Sequence, residues 1–513
     1  MGFLQNLKSN EKLNTFPVTA DKFMFFLFGI FSVCLFGAYN DITVFICILF
    51  LLTLICFYNG HINTLAILGF GLCSFTLITY CFIGGEFVNT FSNYSKYVLF
   101  PLCIITITKE NKPYLEKGLL AGITFCSVIG LLAYIGILPQ VVNEKLNLVG
   151  VIDGEYQLSS LFGYSNTGCI FFGVGVFLSI YLKTKLHKFS FYFIITVNIM
   201  ALILTRSRLG YVCFIFSLLL YFAIKKKKVI LYISITAFIA IITLTICLYY
   251  EFIPSTIASR IIYLQDALKV ILKNPFGIGV GTWADLKYSV QSATYYTNYL
   301  HNGFLQVLLE GGIVSFVIYI GIFVLTLWKL NNNNPIHTAM LVLLITHSFV
   351  DIDSSYGLFF IIFGYIASFC DYKFTPNKLF KPLIIIFLVL TIAMMGLYFY
   401  EKNKTQSEEY FETKIENNTL TPLEAEYFYK GAEKIGDSES MYFFSIKWLE
   451  LSPRSQEAFN AVYKSIQMQY KATLDENYIN ISMPALYNKQ KTVNNSMNYL
   501  CRYLDKNAYI SLP

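Results

Sequence analysis

Charge is what this chain has least of. Aspartate, glutamate, lysine and arginine make up 13% of its 513 residues, against 56% hydrophobic ones. Soluble domains carry about a quarter charged residues, so the composition argues against an ordinary soluble protein. The formal charge of +7 is no argument for a nucleic-acid partner, because the lysines gather in short loops between apolar runs. A disulfide framework is equally short of support. Nearly all of the twelve cysteines lie within or beside an apolar run, where Cys acts as a small hydrophobe, and only Cys501 lies in the polar tail. A cleavable signal is missing too: the first apolar run lacks a small-residue cleavage site, and another run follows at once.

Apolar runs are what the chain has instead. Roughly 17 to 25 apolar residues suffice to cross a hydrocarbon core about 30 Å thick. Such runs fall near 23–39, 42–58, 64–83, 95–108, 118–138, 167–182, 189–205, 209–224, 229–250, 303–328, 336–350, 356–370 and 382–400. They are too long and continuous for barrel strands, so they read as helices. The expected fold is an all-α polytopic membrane protein with about 12–13 transmembrane helices. Residues 1–22 form its N-terminus, 23–400 the membrane domain with a large loop at 251–301, and 401–513 a polar tail.

Lysine placement sets the orientation. Lys8, Lys12 and Lys22 precede the first span; Lys109, Lys112 and Lys117 follow the fourth. Lys183, Lys185 and Lys188, the run Lys225 to Lys228, and Lys373, Lys378 and Lys381 occupy three further loops. With this span count all five loops share one side, and the positive-inside rule makes it cytoplasmic. The 139–166 loop, Thr205 to Gly210, the 251–301 loop and the tail then lie outside. In the tail, apolar residues recur at helical spacing, as at Ala425, Tyr427, Phe428 and Ala432. Residues 440–466 read as two helices broken at Leu451 to Pro453, with Pro453 at a helix start. The layout is similar to one tetratricopeptide unit, but such arrays need several stacked units. A small helical domain without catalytic residues is the expectation.

Polar residues of the membrane domain concentrate on the outer side. Arg206 and Arg208 sit at the mouth of two spans, on the face that usually lacks positive charge. Snorkelling anchors are the plain reading, yet an arginine fork also suits a diphosphate. Arg260 opens an amphipathic helix with Ile261, Ile262, Leu264, Leu268, Ile271 and Leu272 as its apolar stripe, of the kind that lies in the membrane interface. Pro275 ends it. Gly277, Gly279 and Gly281 follow, either a flexible re-entry loop or a turn whose amides approach an anion. No strand precedes them, so they are no dinucleotide fingerprint.

His301 stands at the start of a span with Asn302 as its cap. The positive end of the helix dipole keeps the imidazole neutral, the condition for a general base. Glu310, about two turns in, needs a partner there. His347 and Asp351 are four residues apart and read as one helix face.

The Ser207-Arg208 pair, Arg260 followed by the Asn274-to-Gly281 turn, and the HNGFLQVLLEGGI run from His301 together resemble the O-antigen ligase and O-antigen polymerase superfamily. The HSFVD run ending at Asp351 is also similar. The motifs occupy about residues 200–351. The resemblance implies a bacterial cytoplasmic-membrane glycosyltransferase without metal or cofactor. It would move a glycan from an undecaprenyl-diphosphate carrier to an acceptor hydroxyl outside the membrane. Arg208 and Arg260, with Arg206 beside them, would hold the donor diphosphate, and His301 would activate the acceptor. Asn302, Gly279, Gly281, Glu310, His347 and Asp351 would support the site. The acceptor stays open: a lipid-linked chain, a lipid core, a wall polymer or a protein. A flippase for lipid-linked oligosaccharides is the alternative, but it should carry charge along a central cavity, whereas these polar groups gather at one face.

Overall fold

The computed structural model describes residues 18–486 except 57–61, 84–86, 153, 227–234, 236–238, 240–254, 293–294, 296, 331–333, 371–372, 375–379, 405–407, 418 and 454. It is an all-α multi-pass membrane protein. The membrane domain contains α1 (Val18–Cys34), α2 (Asp41–Cys56), α3 (Thr64–Ile83), α4 (Phe87–Thr106) and α5 (Lys112–Tyr134). A short α6 (Gln140–Leu146) and the hairpin Val149–Ile152 with Glu155–Leu158 follow. Then come α7 (Ser165–Leu182), α8 (Lys188–Leu204), α9 (Arg208–Lys226), α10 (Ser255–Lys273), α11 (Trp283–Val290), α12 (Gly303–Leu330), α13 (Pro335–Ser348), α14 (Gly357–Ala367) and α15 (Phe380–Lys404). The tail adds α16 (Glu408–Glu416), α17 (Pro422–Ile435), α18 (Ser438–Leu451) and α19 (Gln456–Thr473).

Helices α3, α5, α7, α9 and α12 are long and apolar enough to cross a membrane by length and composition. Others are shorter than the apolar runs suggested. α13 has 14 residues, about 21 Å of rise, less than a hydrocarbon core. Their burial explains the brevity: all eleven residues of α14 are enclosed by neighbouring helices, as a helix apolar all round requires. The run at 95–108 belongs to a longer helix, α4, which starts at Phe87 and carries Pro101 inside it. The expected span at 229–250 lies outside the described residues.

Close packing holds the bundle. α1 lies along α5, and a Cβ on Gly118 would sit 2.2 Å from the Phe26 carbonyl oxygen. Only a residue without a side chain permits that approach, the usual device where lipid supplies no hydrophobic drive between helices.

The two ends of the bundle differ. At one end Lys112 donates to the Ser368 carbonyl at 3.0 Å, Lys185 approaches Glu116, and Lys22 lies over the Tyr114 ring. At the other end lie Asp41, Arg206, His301 and Asp351. Tyr398 and Lys402, near the end of α15, both reach Asp41 there. The tail therefore leaves the bundle at the Asp351 end, whatever the span count. Helix α17 of the tail touches α11 of the 251–301 loop.

Within the tail, α17 opens with a capping box between Thr421 and Glu424 and has Pro422 in its first turn. Trp448, Phe459, Val462 and Ile466 form a separate apolar core. Pro453 is not a helix start: the cap of α19 is Ser455, whose hydroxyl accepts from Ala458 N.

Single cysteines at Val151 in the hairpin and Ile435 in the tail, both exposed, should be labelled by a membrane-impermeant maleimide from the same side, in a background lacking Cys81 and Cys501. A cysteine replacing Lys225 should react from the other. Labelling of all three from one side would overturn the two-ended arrangement.

Candidate active site

A single carboxylate gathers most of the polar end. Asp351 is 1% exposed, and five groups surround it. Arg260 Nη2 lies at 3.1 Å from Oδ2 and His301 Nδ1 at 3.1 Å from Oδ1. Asn166 Nδ2 donates at 2.8 Å, the Tyr164 hydroxyl at 3.2 Å, and Ile352 N at 2.8 Å. A buried carboxylate is tolerable only when so supplied with donors. Burial raises its pKa, but the His301 hydrogen bond and the charges of His347, His301 and Arg260 outweigh it, holding the carboxyl well below the ordinary range. The same carboxylate, after burial itself, pushes the Tyr164 phenol up, so Tyr164 stays a hydrogen-bond donor.

The donors arrive from separated parts of the chain. Tyr164 caps α7, Asn166 lies in its first turn, and Arg260 projects from α10. Arg260 lies inside α10, which begins at Ser255 rather than at the arginine. Its buried face is Ile262, Tyr263, Ala267, Val270 and Ile271. Leu268 and Leu272 of the expected stripe are exposed, displaced because Asp266 turns inward. Asp266 accepts from Ser292 N at 2.7 Å and from the Tyr295 hydroxyl at 3.2 Å. Lys287 of α11 donates to the Thr297 carbonyl and to Asn298. Both contacts fix the strand of loop that delivers His301.

His301 itself has φ 50, a left-handed conformation costing about 1 kcal/mol or more outside glycine, and one that clusters at functional sites. Its side chain is 20% exposed, and Nε2 has no hydrogen-bond partner among the described residues. Asn302 caps α12 as expected, its Oδ1 accepting from Leu305 N at 2.9 Å.

The glycine turn is committed to α12. Gly279 N donates to the Glu310 carbonyl at 3.0 Å, Gly281 N to Glu310 Oε1 at 3.0 Å, and Gly277 N to the Asn274 carbonyl. Ile278 N reaches the Leu309 carbonyl and Ile313 N the Pro275 carbonyl. These amides dock on protein, so the anion-contact alternative for the turn gives way to packing. The docking needs a break in α12 at Gly312, with φ 72 and ψ −176. A Cβ there would lie 2.3 Å from the Phe276 carbonyl carbon. Glu310 finds its expected partner in this turn and in Gln306 Nε2 at 2.6 Å.

His347 and Asp351 do not share a helix face. α13 ends at Ser348, and the chain then turns so that His347 Nδ1 meets Asp353 Oδ2 at 2.6 Å. Asp353 also accepts from Thr167, and its own pKa is raised, chiefly by burial. Asp353, Tyr164, Asn166 and Thr167 were not anticipated. The Asp-Ile-Asp spacing at 351–353 was the one available signal.

The arginines divide. Arg260 is 18% exposed and spends one nitrogen on Asp351, leaving the rest of its five-donor fork. Arg206, at φ 53, pairs with Glu155 of the hairpin. Arg208, the first residue of α9, is exposed and has no ion-pair partner among the described residues. No contact joins it to the Asp351 cluster. Among the described residues no group of acidic, histidine and cysteine side chains forms a metal cage.

Residues 191–320 match the family model described as O-antigen ligase. No curated protein matches the chain. The matched segment runs from α8 into α12 and holds Arg206, Arg208, Arg260, the glycine turn, His301 and Glu310. It places this part of the chain in the O-antigen ligase superfamily, and at family level it supports an O-antigen-ligase-like membrane glycosyltransferase. Asp351, the residue that Arg260 and His301 both grip, falls outside it.

Two outcomes are expected. A folded-state pKa below the ordinary carboxylate value of about 4 means Asp351 adds stability that is full above that value. This stability is lost as pH falls through the depressed pKa. Asp351→Asn should thus be less stable than the parent by roughly 3–5 kcal/mol at neutral pH, with the gap closing below about pH 4. Tryptophan fluorescence during unfolding in detergent would measure it; a constant gap down to acid pH would refute the assignment. Gly312→Ala should lower the unfolding midpoint and expose the 275–281 turn to protease.

Proposed function

We propose that the chain transfers a glycan from an undecaprenyl-diphosphate carrier to an acceptor hydroxyl, at the Asp351 end of the bundle, facing away from the cytoplasm. The observation that carries this reading is the Arg260–Asp351–His301 bridge. One carboxylate orients both a cation for a leaving group and a base for a nucleophile.

His301 Nδ1 carries the proton that Asp351 accepts, which leaves Nε2 a lone pair directed away from the carboxylate. The acceptor hydroxyl gives its proton to Nε2 as its oxygen bonds to the anomeric carbon of the donor. The bond from that carbon to the diphosphate oxygen breaks, and the carrier diphosphate leaves with the electron pair. Arg260, with Arg208, meets the charge that grows on the departing oxygen; such preorganised cations act most strongly where water is excluded. Asp351 offsets the imidazolium that forms. No metal or cofactor takes part in this scheme. Arg206 lends positive charge to the neighbourhood, through its pair with Glu155.

Domain roles follow: residues 23–400 carry out transfer, and the tail, 401–513, leaving at the same end, approaches the acceptor or a partner. A flippase reading gains nothing from a base held in a fixed tautomer.

In membranes of a producing strain, His301→Ala and Arg260→Ala should each lower transfer by at least about 100-fold, in the range for loss of a general base or a charge-stabilising donor. Chain length and attachment, read on gels, check it. Lipid-linked single repeats accumulating would mark a polymerase; full-length chains left on the carrier would mark a ligase. Normal product from both variants sinks the proposal.

A further inference from the structure

Beside His301 a cleft of about 360 Å³ opens between α4 and the first turns of α12. Tyr97, His301, Asn302, Gln306, Glu310 and Ser355 are among its lining residues. Its size falls at the small end of the 300–1,000 Å³ that small-molecule sites occupy, but its lining is polar. The scheme above uses only His301 from this wall.

Three of these groups are incompletely satisfied. Glu310 is 4% exposed; Oε1 takes both Gln306 Nε2 and Gly281 N, while Oε2 has no hydrogen-bond partner among the described residues. Ser355 Oγ is buried and likewise unpartnered. Asn302 spends Oδ1 on its cap and leaves its amide nitrogen without a protein acceptor. Buried polar atoms ordinarily find partners, so a cluster without them needs a reason. A ligand that brings both hydroxyl donors and acceptors supplies one.

The mixture narrows the ligand. A carboxylate in the wall repels a diphosphate, so this is not the donor's charged group. The polar lining rejects a hydrocarbon tail. Adjacent ring hydroxyls fit: one donates to Glu310 Oε2, another accepts from Asn302 Nδ2, and Ser355 can serve either way.

We propose that this cleft is the acceptor-sugar subsite, in which Glu310, Asn302 and Ser355 hold the hydroxyls next to the one presented to His301 Nε2. The inference rests on His301 being the base. It adds that the acceptor's terminal residue is an uncharged pyranose, not a lipid or peptide hydroxyl.

The test uses the full chain in detergent and a panel of methyl pyranosides, with binding read by saturation-transfer NMR. At least one pyranoside should bind the parent. Its dissociation constant should rise about tenfold in Glu310→Gln, as for loss of one charged hydrogen bond, and should stay unchanged in Arg260→Ala. Ser355→Ala separates binding from folding, because its hydroxyl has no protein partner to lose. Its unfolding midpoint should hold while pyranoside affinity falls. Absence of pyranoside binding to the parent, or equal binding by Glu310→Gln and Ser355→Ala, overturns the subsite. If His301→Ala still abolishes transfer in that event, the transferase reading survives and only the subsite falls.

Discussion

A carboxylate taken out of water must be met by donors, and the organisation of this protein's polar end follows from how Asp351 meets that demand. The donors come from the starts of α7 and α12, from α10, and from the backbone just beyond α13. No short stretch of chain offers them together. Satisfying one side chain thus ties four segments into a fixed relation. It also explains why an arginine and a histidine, whose side chains would otherwise reach for solvent, are held side by side. Removing the carboxylate would leave a cation without its counter-charge in a half-buried place, the costly half of a broken pair.

The second constraint is the placement of negative charge. Asp351 faces the arginine, whereas Glu310 stands across the histidine on a different wall, braced by the 275–281 turn and Gln306. His301 lies between a region suited to anions and one suited to hydroxyls. A transferase needs that division, because the two substrates differ in charge and must not exchange places. Breaking α12 at Gly312 makes the division possible, since the break lets the turn dock beneath Glu310.

Much of this was legible in the sequence, and the failures have physical causes. The helices followed from apolar runs, and the shared outer placement of Arg208, Arg260 and His301 from lysine asymmetry. The Asn302 cap was legible because capping is local. What depended on where α13 stops was not: the i, i+4 spacing of His347 and Asp351 assumed a helix that ends three residues too soon, so the histidine's partner is Asp353. Lys96 also escaped notice. It looked like a span edge, but it lies well inside α4, buried at 3% exposure over the Tyr39 ring. The amphipathic face of α10 shifted because Asp266 turns inward, which a hydropathy pattern scores as polar and assigns to solvent. In each case tertiary partners overruled a local period.

The order of the partners along the chain has its own consequence. Arg260 is made 91 residues before Asp351, and the glycine turn before the α12 segment that receives its amides. At 5–20 residues per second, the arginine waits on the order of ten seconds for its carboxylate. The loop between them is thus an unfinished object for that interval, already past the membrane and still lacking its keystone. Assembly of the site is then a late event in biogenesis, timed by the arrival of α13 rather than by the loop's own sequence.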